Sequence, residues 1–500
     1  VAEPPTPNVM LTIDDSGSML ADFMPEGTFK LNNYNVNLAN DWIGGFPADW
    51  RKLCTSGQKN CVAGTWPTGN YLVGVATSLK TGANAYQMQY RSPDVNKIFY
   101  NPDLLYLPWY KSDGSGDRMP NATLSAAKFD PVITNGTFNL SINYTSAAGN
   151  QITTNWFTGP GTKKVQGRDF YPGLVYRLTP GANPTSTASY TRYDINATDG
   201  THAAATKSPG RTDCQASKCT LAEERQNFAN WFTYYRMREL LTKAAVSESF
   251  VIFKDKLRVG WGRINKSNSD TIDGASFKIV ETETNGGPLR PLDGTRLGKV
   301  LTGVQKLASW PSTPLRVALD EVGRYFFVDD GVHSNVRPAA GSPWLTDPAN
   351  VGSEKLTCRR SVSLLMTDGY YNDSYSAAGD VDGSNGPSYT GNANPGGYSP
   401  TEYVAQRPYI DAPNALSNTL ADVASRYYVM DMDASIANKV PPVSGDIAYW
   451  QHLTQFMVGL GVYGTLDSST PEKKSETIKQ LTAGTKNWPD PASGSPQKID

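Results

Sequence analysis

Histidine is scarce in this chain. There are three in 500 residues, His202, His333 and His452, scattered and with no G-x-S-x-G beside them. A Ser-His-Asp hydrolase is therefore left without its parts. Cysteine is scarce as well, five in all, and none of the spacings is a C-x-x-C. That removes zinc-ribbon and thioredoxin-type readings. Charge of either sign is not in excess: 46 basic against 47 acidic residues leave a net charge of −1. Nucleic acid and polybasic membrane attachment are excluded as the main business of such a chain. No apolar run approaches the length of a transmembrane helix. The first residues, VAEPPTPN, carry no signal-peptide core and read as a processed or trimmed mature end.

What is present is enough apolar material for a sizeable interior, 39% hydrophobic with 11% aromatic. The length calls for two or more domains, or for one domain with large insertions. The cysteines fall as two close pairs, Cys54 with Cys61 and Cys214 with Cys219, plus a lone Cys358. Two local disulfides in an exported protein are expected, each worth about 2 kcal/mol by loop closure. Cys358 is expected free and buried at the foot of a strand, as a small hydrophobe.

Along the chain, Val9 to Ile13 reads as a buried strand that stops at Asp14. Residues 21–220 change character, rich in Gly, Pro, Asn, Thr, Tyr and Trp, with alternating stretches at 138–145 and 173–180 that predict a β-rich insertion. Helical periodicity then covers 221–250, opened by acidic residues and striped with Phe228, Trp231, Phe232, Tyr235, Leu240 and Leu241. A strand is predicted over 256–264, helices over 295–308 and 314–327, and a buried strand over 361–368 that again ends in Asp. Residues 369–408 are a second, Gly/Asn-rich insertion. A helix over 414–428 runs toward a strand at YVMDM, a strand covers 455–464, and a helix with Pro near its start and Gly at its end covers 471–484. Alternating strands and helices imply an α/β fold, a doubly wound and mostly parallel sheet with helices on both faces. The domain reading is 1–20 with 221–368 and 409–485 as one α/β core, 21–220 and 369–408 inserted into it, and 486–500 as a linker.

In such a sheet ligands gather beyond the carboxyl ends of the strands. Asp14 and Asp368 end two of them, and Thr313 sits in the loop before a helix. Asp14, Ser16, Ser18, Thr313 and Asp368 thus converge from three segments on one sheet edge. Hydroxyl and carboxylate oxygens suit a hard divalent cation, Mg2+ first and Mn2+ or Ca2+ as alternatives. The stretch Asp14 to Ser18 taken alone is also an ordinary turn, since Asp, Ser and Gly are turn formers.

This constellation resembles the von Willebrand factor A domain with its metal-ion-dependent adhesion site: D-x-S-x-S from Asp14 to Ser18, a distant Thr at Thr313, and a distant Asp at Asp368. More narrowly, IFYNPDLLYLPWY (98–110), ERQNFANWFTYYRMRELLTKAA (224–245), MTDGYYND (366–373) and WQHLTQFMVGLGVYGTL (450–466) resemble the N-terminal part of the PilY/PilC family of secreted type IV pilus proteins. The resemblance implies an extracellular place at the pilus tip or cell surface after export through a signal peptide, and a role in adhesion and in assembly with minor pilins. It also implies a β-propeller beyond the residues present here. A metal left electrophilic by neutral hydroxyls would accept a carboxylate from a host-cell or abiotic surface receptor. The function implied is binding rather than catalysis. The competing reading is a structural, force-bearing assembly module whose metal is dispensable. The Tyr- and Trp-rich insertion is expected to form a collar around the metal and select the partner, or else to spend its rings on a small core.

Three other motifs are weaker. The D-[ST]-G-S at Asp15 mimics an aspartic protease, but there is no second D-[ST]-G to share a proton. Asp431 and Asp433 mimic the nucleophile and acid/base of a haloacid-dehalogenase-type phosphatase, without the downstream Lys and acidic pair. Asp380, Asp382 and Ser384 open like a calcium loop, but its twelfth position is Gly391 where Glu is needed.

Overall fold

The computed structural model describes residues 5–24 and 80–493, with the strand pair 48–49 and 72–73, and without 84, 133–135, 158–161, 267, 310–311, 329–335, 337, 339–340, 351, 387–401, 412–414, 463 and 469. Its centre is a five-stranded sheet. Strand β1 (Asn8–Ile13) lies between β4 (Arg258–Arg263) and β6 (Ser361–Thr367), parallel to both, with Ile13 opposite Arg263 on one side and Met366 on the other. Strand β7 (Thr454–Gly459) extends the sheet in parallel beyond β6. The short β5 (Arg290–Pro291) closes the other side, antiparallel to β4.

Successive side chains of β1 feed opposite faces, as the period of a strand requires. Leu11 and Ile13 pack with Val246, Phe250, Leu297, Val300 and Leu301, which come from helices α2 (Arg238–Ile252) and α3 (Gly294–Gln305). Met10 turns the other way, toward Leu319, Val322 and Tyr325 of α4 (Leu315–Phe326) and Val423 and Tyr427 of α5 (Leu420–Val429). The sheet is therefore covered on both faces, the usual condition for a parallel sheet. The connection out of β1 returns to it on the β4 side, and the next crosses to the β6 side. β1 is thus the point at which strand order reverses.

The helix predicted over 221–250 is two helices. α1 (Leu221–Tyr234) starts at Thr220, whose side chain and Glu223 cap each other's backbone N–H groups. Helical geometry breaks at Tyr235 (φ −138°, ψ −15°), and Met237 begins α2 in extended geometry. The reason is tertiary. Phe228, Trp231 and Phe232 of α1 are buried against Phe99, Tyr100, Phe129, Phe138 and Phe170, whereas Val246 and Phe250 of α2 are buried against the sheet. Two separate cores claim the two halves. These rings of residues 99–170 are thus spent on an interior rather than on an exposed recognition face.

Around that second core the regular structure of the described insertion is mostly short antiparallel strand pairs. Strands β2 (Leu174–Leu178) and β3 (Tyr190–Asp194) pair antiparallel, and so do 152–157 with 162–168. Of the alternating stretch 138–145, Phe138 pairs with Ala127 in a short strand and Tyr144 bridges Phe170, with a turn between them. Asn139 ends the short strand by accepting from Ser141 N at 2.9 Å and Ser141 Oγ at 2.6 Å, the local bond that turns a chain.

The predicted strand at YVMDM is also absent. Helix α5 runs on through Val429, because Tyr427 is held under α4: its hydroxyl donates to Asp320 Oδ1 at 2.7 Å. The start of α5 moves from 414 to 420. Asn418 is in left-handed geometry (φ 63°), and Thr419 and Asp422 form the cap. Gly323 makes the α4–α5 approach possible. A Cβ there would stand 2.2 Å from ring carbons of Tyr427. The Gly323→Ala chain is therefore expected to lose about 1–3 kcal/mol by overpacking, more than the gain in helix propensity of roughly 1 kcal/mol. The check is a lower urea midpoint with an unchanged slope; an unchanged or higher midpoint contradicts the packing argument.

Helix α6 (Pro471–Ala483) ends at Gly484 in left-handed geometry (φ 72°), as Pro and Gly at its ends foretell. Cys214 and Cys219 form the expected disulfide. The pair Cys54 and Cys61 lies outside the described residues. Cys358 has no disulfide partner, as expected, but is only half-buried, because it sits in the turn ahead of β6 rather than in the strand. No helix among the described residues is long and apolar enough to cross a membrane.

Candidate metal and ligand site at the sheet edge

The carboxyl ends of β1 and β6 leave the sheet side by side, and Asp14 N still bonds Met366 O at 2.8 Å. Beyond that point the chain turns on its own side chains. Asp14 Oδ1 accepts Ser16 N at 2.7 Å, an Asx-type turn. Ser16 then caps a short 3-10 turn over Gly17–Leu20, but makes no side-chain cap bond. Its hydroxyl is turned to the neighbouring loop instead. The Ser16 and Ser18 hydroxyls share a hydrogen bond of 2.8 Å. Ser18 Oγ donates to Asp368 Oδ1 at 2.8 Å, and Ser16 Oγ lies 3.5 Å from the same oxygen.

Thr313 completes the group from the loop before α4. A Cβ built on Gly369 would stand 3.5 Å from Ser18 Oγ and 3.8 Å from Thr313 Oγ1, so these two side chains flank the same glycine. The loop holding Thr313 is tied to the one after β6 in both directions: Thr313 N donates to Asn372 Oδ1 at 2.8 Å and Asn372 N to Thr313 O at 3.1 Å. Asp14, Ser16, Ser18, Thr313 and Asp368 thus come from three segments to one edge, at the strand where the sheet order reverses. Asp14, Ser16 and Asp368 are buried, Ser18 is half-buried and Gly17 is exposed, which leaves the cluster one open side.

Asp15 is not part of it. It faces the β4 side, where its Oδ1 accepts Asn265 N at 2.9 Å and its Oδ2 lies 3.4 Å from Arg263 Nη1. Burial pushes its carboxyl up to about 6 in spite of Arg263.

Three residues at the site escaped the sequence reading. Thr367 donates from Oγ1 to Asp14 Oδ2 at 2.6 Å. Asn372 fixes Thr313, as described. Arg238, at the start of α2, places Nη1 2.9 Å from Asp368 Oδ2, and both side chains are fully buried. Thr367 and Asn372 adjoin the Asp motif and were within its reach. Arg238 was not, because its position depends on the break between α1 and α2.

The electrostatics are unbalanced. Burial, and then the Asp368 charge, push the Asp14 carboxyl up to about 7, although bonds from Thr367 and Ser16 pull it down. Burial likewise raises Asp368, with Arg238 opposing. Two buried carboxylates face one guanidinium. The donors are oxygens throughout, the set a hard divalent cation takes, and an added positive charge would relieve the repulsion. The residues present fit such an ion.

The rival motifs have other settings. Asp433 is buried and paired with Lys355 Nζ at 2.7 Å. His202 reaches Cys219 O and His452 reaches Asp446, far apart in sequence, while His333 lies outside the described residues.

Fold and cluster define a class: an α/β protein with a mostly parallel sheet and an oxygen-lined group at its switch point. No family model and no solved structure matches the chain. Three curated proteins do, each named type IV pilus biogenesis factor PilY1 and each from Pseudomonas aeruginosa. The one from strain UCBPP-PA14 is 28% identical over 426 residues, covering 80% of this chain and 31% of the relative. The one from strain PAK is 25% identical over 503 residues, covering 97% of this chain and 34% of the relative. The third, from strain ATCC 15692, is 29% identical over 294 residues, 55% of this chain and 23% of the relative. These matches support the resemblance to the PilY/PilC family. It spans about a third, or less, of the length of the relatives it matches.

Proposed function

We propose that the chain is the partner-binding part of a type IV pilus biogenesis factor. In this reading the α/β core is a von Willebrand factor A-type domain, and Asp14, Ser16, Ser18, Thr313 and Asp368 are its metal-ion-dependent adhesion site. The observation that carries the reading is the pair of bonds joining Ser16 to Ser18 and Ser18 to Asp368 across two loops that are 350 residues apart.

Asp14 and Asp368 supply the negative charge of the site, and Ser16, Ser18 and Thr313 supply neutral oxygens. A hard divalent cation, Mg2+ or in its place Mn2+ or Ca2+, contributes an electrophilic position open to a carboxylate from another molecule. Thr367 holds Asp14 in place, and Arg238 takes one oxygen of Asp368 so that the other faces the serines. The partners proposed are minor pilins at the pilus tip and a carboxylate-bearing receptor on a host or abiotic surface. The setting is extracellular, after export. The activity is binding, with no catalytic step.

One observation favours a second reading. The Arg238–Asp368 pair already joins α2 to the loop after β6 by protein groups alone. A structural, force-bearing assembly module could use that tie and dispense with a metal.

The test is a Mg2+ titration by calorimetry on the chain and on its Ser16→Ala/Ser18→Ala variant, followed by minor-pilin binding in Mg2+ and in EDTA. Removal of orienting groups around a metal alone costs about 10–100-fold in affinity, so loss of two direct oxygens is expected to cost at least that. Pilin binding is expected to fall in EDTA and in the variant. Equal Mg2+ affinity would remove the site. Pilin binding unmoved by EDTA and by the variant would favour the structural module.

A further inference from the structure

The calcium-like stretch GDVDGSNG lacks its twelfth-position acid in sequence, yet the fold brings one in from elsewhere. Asp422, at the third position of α5, has Oδ2 engaged in the helix cap, where it accepts Thr419 N at 2.7 Å. Its Oδ1 accepts Val381 N at 2.8 Å, which stitches the loop to the helix start. Asp380, Asp382 and Asp422 each present one carboxylate oxygen, and these oxygens lie within 4.8 Å of one another. Ligands about 2.4 Å from one Ca2+ stand no more than about 4.8 Å apart, so the three oxygens fit a common ion.

A cluster of acids needs a reason beyond proximity, and two buried oxygens supply it. Asp382 is 3% exposed, and its Oδ1 has no hydrogen-bond partner. Asp411 is 8% exposed; its Oδ2 accepts Leu416 N at 2.8 Å while its Oδ1 has no partner. A buried carboxylate oxygen left bare costs on the order of 1–3 kcal/mol, more when charged. Among the described residues, no Lys or Arg pairs with Asp380, Asp382, Asp411 or Asp422. Asp380 is half-buried and gives the group a route to solvent.

We propose that Asp380, Asp382 and Asp422 bind a calcium-class divalent cation, with Asp411 beside them, at a site separate from the cluster around Asp14. The Ser384 hydroxyl donates to Asp380 O at 2.8 Å, which braces the loop that carries these carboxylates. Burial, and then the charges of Asp422, Asp411 and Asp380, push the Asp382 carboxyl up to about 7, in keeping with a group that lacks its counter-charge. The cation clamps the loop that starts at 380 onto the start of α5. Asp382 and Asp411 also line a cavity of about 430 Å3, with Tyr371, Leu420, Gln455 and Trp488, so the clamp shapes one wall of that cavity.

The experiment uses the Ser16→Ala/Ser18→Ala chain as background, so that the sheet-edge cluster does not contribute, and titrates it with CaCl2 by calorimetry and native mass spectrometry. One bound Ca2+ is expected, with a Ca2+-dependent rise in Tm. Adding Asp380→Asn or Asp382→Asn is expected to weaken Ca2+ at least about tenfold, as loss of a direct charged ligand should exceed the cost of an outer-shell change. Should Asp382→Asn fail to fold, Asp380→Asn, at a half-buried position, decides. No Ca2+ in the background chain, or affinity unchanged by Asp380→Asn, overturns the proposal. Equal Mg2+ affinity of the parent chain and this background, with this Ca2+ retained, would overturn only the other site.

Discussion

Replacing Lys243 by Met is expected to cost about 3–5 kcal/mol of stability, the usual penalty for stranding buried charge. Lys243 is on α2 and has no exposure. Its Nζ contacts Glu239 Oε1 at 2.5 Å, Asp130 Oδ2 at 3.4 Å and Leu307 O at 2.9 Å. Asp130 is also fully buried and Glu239 nearly so, the latter holding Ser309 Oγ at 2.7 Å. Without the ammonium, Glu239 and Asp130 lose the buried cation that bridges them. Asp130 belongs to the insertion and Lys243 to a helix of the sheet layer, so the same change should loosen the docking of the two. Hydrogen exchange is expected to rise around 129–132 before it rises in β1 or β6. Adding Asp130→Asn and Glu239→Gln should return part of the loss, because the two negative charges that the ammonium balanced are then gone. A urea midpoint for Lys243→Met within about 1 kcal/mol of the parent would contradict this account.

The Arg238→Leu chain should show a loss of similar size, about 3–5 kcal/mol, with a different local signature. Arg238 is bound to Asp368 Oδ2 at 2.9 Å, and its Nε reaches Phe23 O at 3.1 Å. Its backbone N donates to Ala21 O at 3.1 Å, and its guanidinium lies 5.3 Å from the Phe23 ring centre. One side chain therefore ties the loop after β1 to the loop after β6. Its removal strands Asp368 and frees both loops. Adding Asp368→Asn is expected to recover stability, giving a coupling energy well above the roughly 0.5 kcal/mol typical of independent sites. Simple additivity of the two changes would show that the buried pair does not act as a pair. Added Mg2+ is expected to raise the Tm of Arg238→Leu more than that of the parent, since it would supply the missing positive charge beside Asp368.

Much of the sheet layer could be read from the chain because its signals are local. β1 and β6 are short apolar runs that stop at an Asp, and α4 buries Leu315, Ala318, Leu319 and Val322 at helical spacing. The oxygen-rich turn after Ile13 follows from Asp14, Ser16 and Gly17 by turn chemistry alone. Elsewhere local signals misled. Residues 138–145 alternate as a strand does, but Asn139 finds a nearer partner in Ser141. Residues 428–430 look like the opening of a strand, but Tyr427 is pinned beneath Gly323 and keeps the helix going.

The sequence by itself determined that the chain builds an α/β layer, that two of its strands end in carboxylates, and that hydroxyls stand two and four residues after the first. Those features depend on neighbours along the chain, where periodicity and turn geometry act. The tertiary structure decided which distant groups meet. It set Ser18 against Asp368, broke the long helix so that Arg238 could reach the same carboxylate, and brought Asp422 to a loop that lacked its last acid. Such pairings are settled by which apolar faces must be buried together. A residue gains its electrostatic partner only after two cores, assembled from far-apart segments, have fixed where its backbone lies.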